Sequence, residues 1–257
     1  MSPSSAPSRH LPPVVVVSLV DSHQRRVHMT AQLVEMGVPF RFFDAERIER
    51  YPDRYDARTR LRTYGNHLTL GEIGCYDSHY QIWQALAASN DHIWCVLEDD
   101  VNLSGGFATR LANALDVTTP WGIMRFTHGG SAGARRVGSL PCGAALHDYR
   151  KQPCGTTGYL IRRDAALTLL RYARTIVHPV DDMLNRYWEH GIRMISVSPD
   201  IVAHRDETLG GTTIHGRIQF RRSIAQKLRR EFHMGRDSLN RYVDTWRRRL
   251  LDRPRYQ

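Results

Sequence analysis

Residues 93–100 read Ile93-Trp94-Cys95-Val96-Leu97-Glu98-Asp99-Asp100. The first five are apolar, which is typical of a buried strand, and three carboxylates follow without an intervening turn. Adjacent carboxylates repel one another, and a hard divalent cation such as Mn²⁺ or Mg²⁺ removes that penalty. Ligands of open α/β sheets gather at the carboxyl ends of strands. This stretch therefore predicts either a cation site or an acidic turn on the surface.

The segments around this strand alternate between strand and helix patterns. Short apolar runs predict strands, and apolar residues spaced by three and four predict helices. We predict strands at 14–19, 40–43, 93–97, 121–126, 157–161 and 192–197, and helices at 22–36, 69–90, 106–115, from 164 onward and at 181–190. We expect 44–67 to be a mobile loop near a site and 131–152 to be a glycine-rich loop. The alternation predicts an α/β sandwich with a mainly parallel central sheet.

The formal net charge of the 257-residue chain is +10, and it is unevenly distributed. Residues 215–257 contain 13 Lys and Arg against 4 Asp and Glu, so they carry +9 of the excess. A domain that binds nucleic acid over its whole surface would not concentrate its charge at one end. The first dozen residues are rich in Ser and Pro. We predict a flexible leader at 1–12, an α/β domain at 13–215 and a basic amphipathic helical tail at 216–257.

The tail combines arginines with apolar residues at helical spacing, a pattern typical of helices that lie on a membrane surface. No apolar run is long enough to span a bilayer, since the aliphatic run near the N-terminus extends only from Val14 to Val17. We therefore predict a cytoplasmic protein whose tail docks on anionic lipid at the inner face of the inner membrane. Two alternatives stay open. The tail packs on its own domain, or it packs on a second subunit in a homodimer.

Several short motifs occur in a fixed order between residues 14 and 214. The main ones are Leu70-Gly71-Glu72-Ile73-Gly74-Cys75, Ser78-His79, Ile82-Trp83 and Leu97-Glu98-Asp99-Asp100-Val101. Shorter ones are Val17-Ser18-Leu19 with Arg25-Arg26, Phe42-Phe43-Asp44-Ala45, Gly155-Thr156-Thr157-Gly158-Tyr159-Leu160, and Pro179 with Asp181-Asp182. Together they resemble glycosyltransferase family 25, whose pattern reads approximately L-T-x-G-E-I-G-C-x-x-S-H, a helix, then L-E-D-D-V. That family includes bacterial lipooligosaccharide galactosyltransferases and collagen galactosyltransferase domains.

The resemblance implies a GT-A fold, a UDP-sugar donor used with Mn²⁺ or Mg²⁺, and inversion at the anomeric carbon. It suggests galactose as the sugar and a saccharide acceptor such as a lipopolysaccharide or lipooligosaccharide core. The sequence departs from the family pattern at two places. A glycine is missing at 46–49, and the Ser-x-Ile element appears as Thr212-Thr213-Ile214. These departures bear on the choice of donor and acceptor more than on the fold.

The outer carboxylates of the acidic triplet have the spacing of a D-x-D metal motif. We expect Asp100 to be a direct metal ligand and Glu98 to hold the ribose or a metal-bound water. Asp99 either contributes to the nucleotide site or only caps the next turn. His204 follows the last predicted strand and is a further candidate ligand, with a surface imidazole as an equal alternative.

Contacts to the nucleotide-sugar are predicted from residue chemistry and from the resemblance. Arg25 and Arg26 open the first helix, where a guanidinium suits a diphosphate, and a solvated helix face is the alternative. The resemblance adds further residues to this site: Leu19, Asp44, Glu72, Ser78, His79, Thr156 and Gly158. Glu72 also fits a capping box with Thr69, and a lone His79 on a helix also fits a packing role.

An inverting transfer needs a base that accepts the proton of the acceptor hydroxyl. Asp182 is our first candidate and Asp181 the second, with helix capping as the alternative for both. Two other functions remain open at this point. A metal-dependent phosphodiesterase or nuclease would need further ligand motifs, which we do not find. A non-catalytic nucleic-acid-binding protein led by the tail would need more aromatic stacking residues than the tail contains.

Overall fold

The computed structural model describes residues 11–127, 133–204 and 223–251. The strands in these residues are β1 (Val14–Leu19), β2 (Phe40–Ala45), β3 (Ile93–Glu98), β4 (Val101–Leu103), β5 (Ile123–Arg125), β6 (Arg135–Ser139), β7 (Ala145–Asp148), β8 (Gly158–Arg162), β9 (Met194–Ser198) and β10 (Val202–His204). The helices are α1 (His23–Glu35), α2 (Ala57–Tyr64), α3 (Leu70–Ala88), α4 (Phe107–Ala114), α5 (Arg163–Tyr172), α6 (Val180–Leu184), α7 (Tyr187–His190) and α8 (Ile224–Leu251).

Eight of these strands form one sheet in the order β2-β1-β3-β8-β5-β9-β7-β6, and β10 pairs with β4 in a small second sheet. Strands β8 and β7 are antiparallel to their neighbours, whereas β1 is parallel to β2 and β3, and β5 is parallel to β9. Six strands therefore run in one direction and two in the other. The predicted α/β fold with a mainly parallel central sheet is confirmed. The carboxyl ends of β1 and β3 meet at one edge of the sheet.

Helices cover both faces of the sheet because its central strands are apolar on both faces. In β1, Val15 packs in the same core as residues of α3 and α5. Val14 and Val16 point to the other face and pack in a second core with residues of α1 and α4. The two cores hold β1 and β3 between two helical layers. The acidic triplet lies at the carboxyl end of β3.

Helix α3 begins at the capping box that the sequence predicts. The Glu72 N–H donates to Oγ1 of Thr69 at 3.1 Å, and the Thr69 N–H donates to the Glu72 carboxylate at 2.8 Å. These two bonds satisfy backbone donors that the first turn would otherwise leave free. Most of α3 is buried, including Ile73 and Trp83. The capping box therefore fixes the start of the helix beside the edge of the sheet.

Two expectations about loops are wrong. Residues 44–67 contain α2, which begins after Asp56, whose side chain accepts a hydrogen bond from the Thr59 N–H, and ends at Gly65 with φ of 72°. The helix is rich in Arg and Thr, so it shows little apolar periodicity. Residues 135–148 contain the antiparallel pair β6 and β7, and β7 also pairs with β9. That second pairing is distant in sequence, so local composition gives no signal for it.

The tail forms α8 over Ile224–Leu251, in agreement with the predicted helix. Its polar side packs on the domain, where the Asp237 carboxylate accepts hydrogen bonds from both terminal nitrogens of Arg186 at 2.6 and 2.9 Å. Most of the predicted leader, the Thr212-Thr213-Ile214 element and the last six residues lie outside the described part of the chain. No helix among the described residues is both long and apolar enough to cross a membrane.

Candidate active site

A cavity of about 320 Å³ lies at the carboxyl ends of β1 and β3. Small-molecule sites commonly measure about 300–1,000 Å³. Carboxylates outnumber arginines in its wall, with Glu46, Glu98, Asp99 and Asp100 against Arg25 and Arg47. We refer to it as the acidic cavity. The structure brings together here these residues of the predicted site: Leu19, Arg25, Ser78, His79, Glu98, Asp99 and Asp100.

Asp99 is buried and fully engaged by neighbouring donors. Oγ of Ser18, in β1, donates to its Oδ2 at 2.6 Å, and Nη1 of Arg25, in α1, donates to its Oδ1 at 2.9 Å. A buried carboxylate held by a guanidinium and a hydroxyl is compensated within the protein. Asp99 therefore anchors the end of β3 to β1 and α1. The same nitrogen of Arg25 also lies 3.5 Å from Oδ2 of Asp100, so Arg25 pairs with both carboxylates, although the sequence suggests that it contacts the nucleotide.

Asp100 differs from Asp99 because one of its oxygens lacks a donor. Its Oδ1 is buried and has no hydrogen-bond partner within the described ranges. Nδ1 of His204 lies 3.8 Å from this oxygen. The pairing of β10 with β4 places His204 opposite Val101, so the backbone fixes the approach. An orphaned buried carboxylate oxygen is costly, and a cation held by Asp100 and His204 would remove that cost.

Glu98 lies between Asp100 and α3. Oγ1 of Thr156 donates a short hydrogen bond to its Oε1, which orients the carboxylate. Burial raises the pKa of Glu98 to about 7, the negative charge of Asp100 adds to this effect, and the Thr156 hydrogen bond opposes it. The carboxylate is thus held in a place where negative charge is unfavourable. A nearby cation would favour its ionised form.

His79 is fully buried, and its Nδ1 lies 2.8 Å from the Tyr159 hydroxyl. Burial lowers the pKa of His79 to about 4, so the ring is neutral near pH 7. Its Nε2 lies 4.0 Å from Oε1 of Glu98 and has no hydrogen-bond partner in the part of the chain that the structure describes. The His79 ring therefore has a packing role, which is the alternative given above for a lone histidine on a helix. It also presents Nε2 toward the acidic cavity.

Glu98 belongs to two potential sets of metal ligands. The first is the predicted set of Glu98, Asp100 and His204, mostly oxygen donors, which suit Mg²⁺ or Mn²⁺. Oδ1 of Asp100 and Nδ1 of His204 lie 3.8 Å apart, but the ligand atoms of all three residues are not within 4.8 Å of one another. The second consists of Cys75, His79 and Glu98, whose ligand atoms lie within 4.8 Å of one another. A thiol binds metal as the thiolate, and burial raises the pKa of Cys75. The first set therefore fits a hard divalent cation better, and the unpartnered oxygen of Asp100 belongs to it.

Two predicted contacts lie beside the acidic cavity and do not line it. Arg26 donates to the backbone oxygens of Ser18 and Leu19, both at 3.0 Å, and to the Asp44 carboxylate at 2.6 Å. Arg26 therefore ties the ends of β1 and β2 together. The Asp44 side chain is exposed, and Arg26 neutralises it. This ion pair gives both residues a structural role at the ends of β1 and β2, and their contact with a nucleotide stays a prediction.

Two further predicted contacts, Thr156 and Gly158, act from behind the cavity. Thr156 acts on the site through its hydrogen bond to Glu98. Gly158 begins β8 in the apolar core, where an added Cβ would lie 3.0 Å from Leu97 and from Phe126 and 3.2 Å from Val202. A larger residue would push these side chains apart. Gly158 therefore allows close packing between β8 and its neighbours.

A second cavity of about 1320 Å³ lies between the domain and α8. Its charged lining is predominantly cationic, with Arg60, Lys151, Arg186, Arg230 and Arg241 against Glu72, Asp182 and Asp237. We refer to it as the basic cavity. Leu70 and Gly71, at the start of α3, line both cavities, so the two adjoin there. Glu72, which the resemblance assigns to the nucleotide site, lies on the basic side.

The two candidate bases face different surroundings. Asp182 lines the basic cavity. Asp181 accepts hydrogen bonds from the Gly155 N–H at 3.1 Å and from the Asp182 N–H at 2.9 Å, so both its oxygens have donors. Its charge also contributes to the raised pKa of Glu98. Asp181 therefore holds the 153–156 loop, whereas Asp182 faces the basic cavity.

Sequence reasoning missed three arginines. Arg125 is buried at the end of β5 and donates to the backbone oxygens of Pro153 and Gly155 at 2.9 and 2.6 Å, so it positions the loop before Thr156. Arg60, in α2, and Arg241, in α8, line the basic cavity without a carboxylate at salt-bridge distance in the described residues. The sequence does mark Arg125, because it is a charged residue within the apolar run of β5. No motif marks Arg60 or Arg241.

A model of glycosyltransferase family 25, described as LPS biosynthesis protein, matches residues 11–132. LgtB of Neisseria gonorrhoeae, a lacto-N-neotetraose biosynthesis glycosyltransferase, is 31% identical over 211 residues, covering 73% of this chain and 72% of that protein. A Haemophilus influenzae protein provisionally named a glycosyltransferase is 26% identical over 235 residues, covering 84% and 82%. The human inactive glycosyltransferase 25 family member 3 is 33% identical over 131 residues, covering 44% and 21%.

Every residue that lines the acidic cavity falls inside the range that the family model matches. The similarity to LgtB extends over most of both proteins. The chain therefore belongs to glycosyltransferase family 25, and it has the GT-A-type α/β sandwich that its sequence predicts.

Proposed function

We propose that this chain transfers galactose from UDP-galactose to a saccharide acceptor of the lipopolysaccharide or lipooligosaccharide core, with Mn²⁺ or Mg²⁺ and with inversion at the anomeric carbon. The observation that carries the proposal is the buried, unpartnered Oδ1 of Asp100, 3.8 Å from Nδ1 of His204, where Asp100 lines the cavity of about 320 Å³ at the carboxyl ends of β1 and β3. The family description and the name of LgtB support this acceptor class. One relative is inactive, so the proposal rests on the site as well as on the family.

The two cavities suggest a division between donor and acceptor. In our proposal the nucleotide-sugar binds in the acidic cavity, and the acceptor enters through the basic cavity. Asp100, Glu98 and His204 would hold the cation, which when bound supplies positive charge against the charge of the diphosphate leaving group. The arginine-bound Asp99 keeps the end of β3 in place. The shared residues Leu70 and Gly71 lie where the sugar would pass from one cavity to the other.

In the proposed reaction the acceptor hydroxyl oxygen forms a bond to the anomeric carbon. The bond from that carbon to the diphosphate oxygen breaks, and UDP leaves with the electron pair. The proton of the acceptor hydroxyl passes to the Asp182 carboxylate, which acts as the general base. Asp181 positions the adjacent loop through the Gly155 N–H.

A thermal-shift panel of UDP-sugars, with and without Mn²⁺, tests the donor and the metal together. A ligand that binds only the folded state raises the melting temperature by mass action. We expect UDP-galactose with Mn²⁺ to give the largest rise and Asp100→Asn to lose the metal-dependent part. Asp53→Asn is the matched control, because Asp53 is exposed and lines neither cavity. Equal shifts in Asp100→Asn and wild type, or no shift with any UDP-sugar, would contradict the proposal.

A further inference from the structure

Helix α8 presents an apolar stripe to solvent along its whole length. The stripe consists of these side chains, with their exposed fractions: Ile224 78%, Leu228 68%, Phe232 70%, Leu239 61%, Tyr242 53%, Trp246 57% and Leu250 38%. Successive members are three, four or seven residues apart, so they share one face of the helix. At about 1.5 Å per residue the 28-residue helix is about 42 Å long.

The opposite face of α8 is polar and holds the helix on the domain. Asp237 is buried in its ion pair with Arg186, and the Tyr187 hydroxyl lies 2.9 Å from Oγ1 of Thr245. Arg248 donates to the backbone oxygen of Tyr187 at 3.2 Å. A surface helix of a globular domain normally turns its apolar stripe inward. Here the polar contacts fix the reverse orientation, so burial against the domain does not explain the stripe.

Basic residues border the stripe. Lys227, Arg229, Arg236 and Arg247 are exposed on α8. By helical spacing, Arg229, Arg236 and Arg247 lie along one border. Glu231 is the acidic residue at the other border, and Arg230 pairs with it. An apolar face with cationic borders is complementary to a bilayer that carries anionic headgroups.

We propose that α8 is an in-plane membrane anchor, with its apolar stripe in the boundary between headgroups and acyl chains of an anionic bilayer. A second copy of the chain matches the stripe less well. Two such helices packed antiparallel and stripe to stripe would bring their arginine-rich borders together, whereas anionic headgroups neutralise this charge.

The anchor also bears on access to the proposed acceptor site, a step that rests on the proposed function. The polar face of α8 supplies Arg230, Met234, Asp237, Ser238 and Arg241 to the wall of the basic cavity. A bilayer on the apolar face would therefore lie one helix diameter from that cavity. This arrangement suits an acceptor saccharide attached to a lipid, because its sugar can enter the cavity while its lipid stays in the membrane.

Flotation of the full chain with vesicles tests the anchor. We expect binding to vesicles of phosphatidylglycerol and phosphatidylethanolamine, little binding to phosphatidylcholine alone, and loss of binding with rising salt. Phe232→Glu with Trp246→Glu should weaken binding by about tenfold or more. The matched control is Val27→Glu with Val34→Glu, since these side chains are 69% and 66% exposed on α1 and lie outside the stripe. It should bind like wild type.

A second variant, in which Arg229, Arg236 and Arg247 are each changed to Gln, measures how much the positive charge contributes to vesicle binding. Roughly fivefold weaker binding per charge removed is expected on anionic vesicles. Unchanged melting temperatures would show that both stripe and border variants fold. Transfer of sugar to a soluble acceptor should be unchanged in all of these variants. If the wild type transfers no sugar, the proposed function is contradicted, but the membrane anchor is not. A wild type that does not float, or a dimer that Phe232→Glu dissociates, would overturn the anchor.

Discussion

The acidic and basic cavities adjoin at the start of α3, yet they differ in charge, size and origin. The acidic cavity is small, and its lining comes from residues 17–100, inside the family match. The basic cavity is about four times larger, 1320 against 320 Å³, and most of its charged lining follows residue 150. Helix α8 forms one of its walls. The proposed donor site thus lies wholly inside the family match, whereas the acceptor side combines residues 51–72 of that match with residues 151–241 beyond it.

Because of this difference, family membership indicates more about the proposed donor site than about the proposed acceptor site. Relatives that share the acidic cavity share the residues proposed to bind the nucleotide and the cation. The basic cavity also depends on α2, on 151–188 and on α8, and among its charged residues only Glu72 and Asp182 belong to the quoted motifs. Acceptor specificity should therefore depend on residues such as Arg241. The variants below separate the roles of the two cavities.

The largest effect on transfer, after loss of the metal site, is expected from Asp182→Asn. This change removes the proposed base but keeps the shape of the side chain, so kcat should fall by about 10²–10⁴-fold. Steady-state kinetics with saturating donor and acceptor measure it. Asp181→Asn is the comparison, and it should reduce kcat less, because Asp181 positions the loop. The reverse order would make Asp181 the base.

A smaller effect is expected from Arg241→Ala in the basic cavity. The Arg241 guanidinium lies 5.1 Å from the Trp188 ring centroid, and within the described ranges it has no carboxylate partner, so it is available to an anionic group of the acceptor. A charge-assisted hydrogen bond contributes about 1.5–3 kcal/mol, so the acceptor KM should rise at least about tenfold while the donor KM stays the same. Arg174→Ala, exposed and outside both cavities, is the control. An increase in the donor KM instead would show that the cavities are assigned the wrong way round.

The smallest effect concerns the charge of the basic cavity at mildly acid pH. Burial, with the positive charges of Arg186 and Arg60, lowers the pKa of His178 to about 3. The folded protein should therefore keep His178 neutral, and NMR titration of its ring should show no protonation between pH 7 and about 5. Since unfolded His binds a proton near pH 6.5, this residue should make stability fall as pH drops below about 6.5. His178→Gln should lessen that fall. A His178 ring that titrates near pH 6 would contradict the burial.

Local sequence predicted the elements that build the acidic cavity. Thr69 and Glu72 mark the start of α3, and the run that ends at Leu97 marks β3, because caps and apolar periods are local properties. The sequence could not show that Asp99 and Asp100 differ. Their difference depends on Arg25 and Ser18, which lie more than 70 residues away and meet Asp99 only in the folded sheet.

The basic cavity was less predictable for the same physical reason. Its walls meet through the packing of α8 on the domain, and the Arg186–Asp237 ion pair joins residues 51 positions apart. Composition predicted a basic amphipathic helix but not which side would face the domain. The polar side faces the domain, because Asp237 and Thr245 have hydrogen-bond partners there. Asp182 was identified from its motif, whereas Arg60 and Arg241 required the fold.

The most direct test of the central claim is a crystal structure with Mn²⁺ and UDP, using anomalous scattering to locate the metal. The account predicts one strong manganese peak in contact with Asp100, with Glu98 and His204 beside it and the diphosphate of UDP on its open side. A peak at Cys75 and His79, or a diphosphate bound in the basic cavity with Asp100 free of metal, would contradict it.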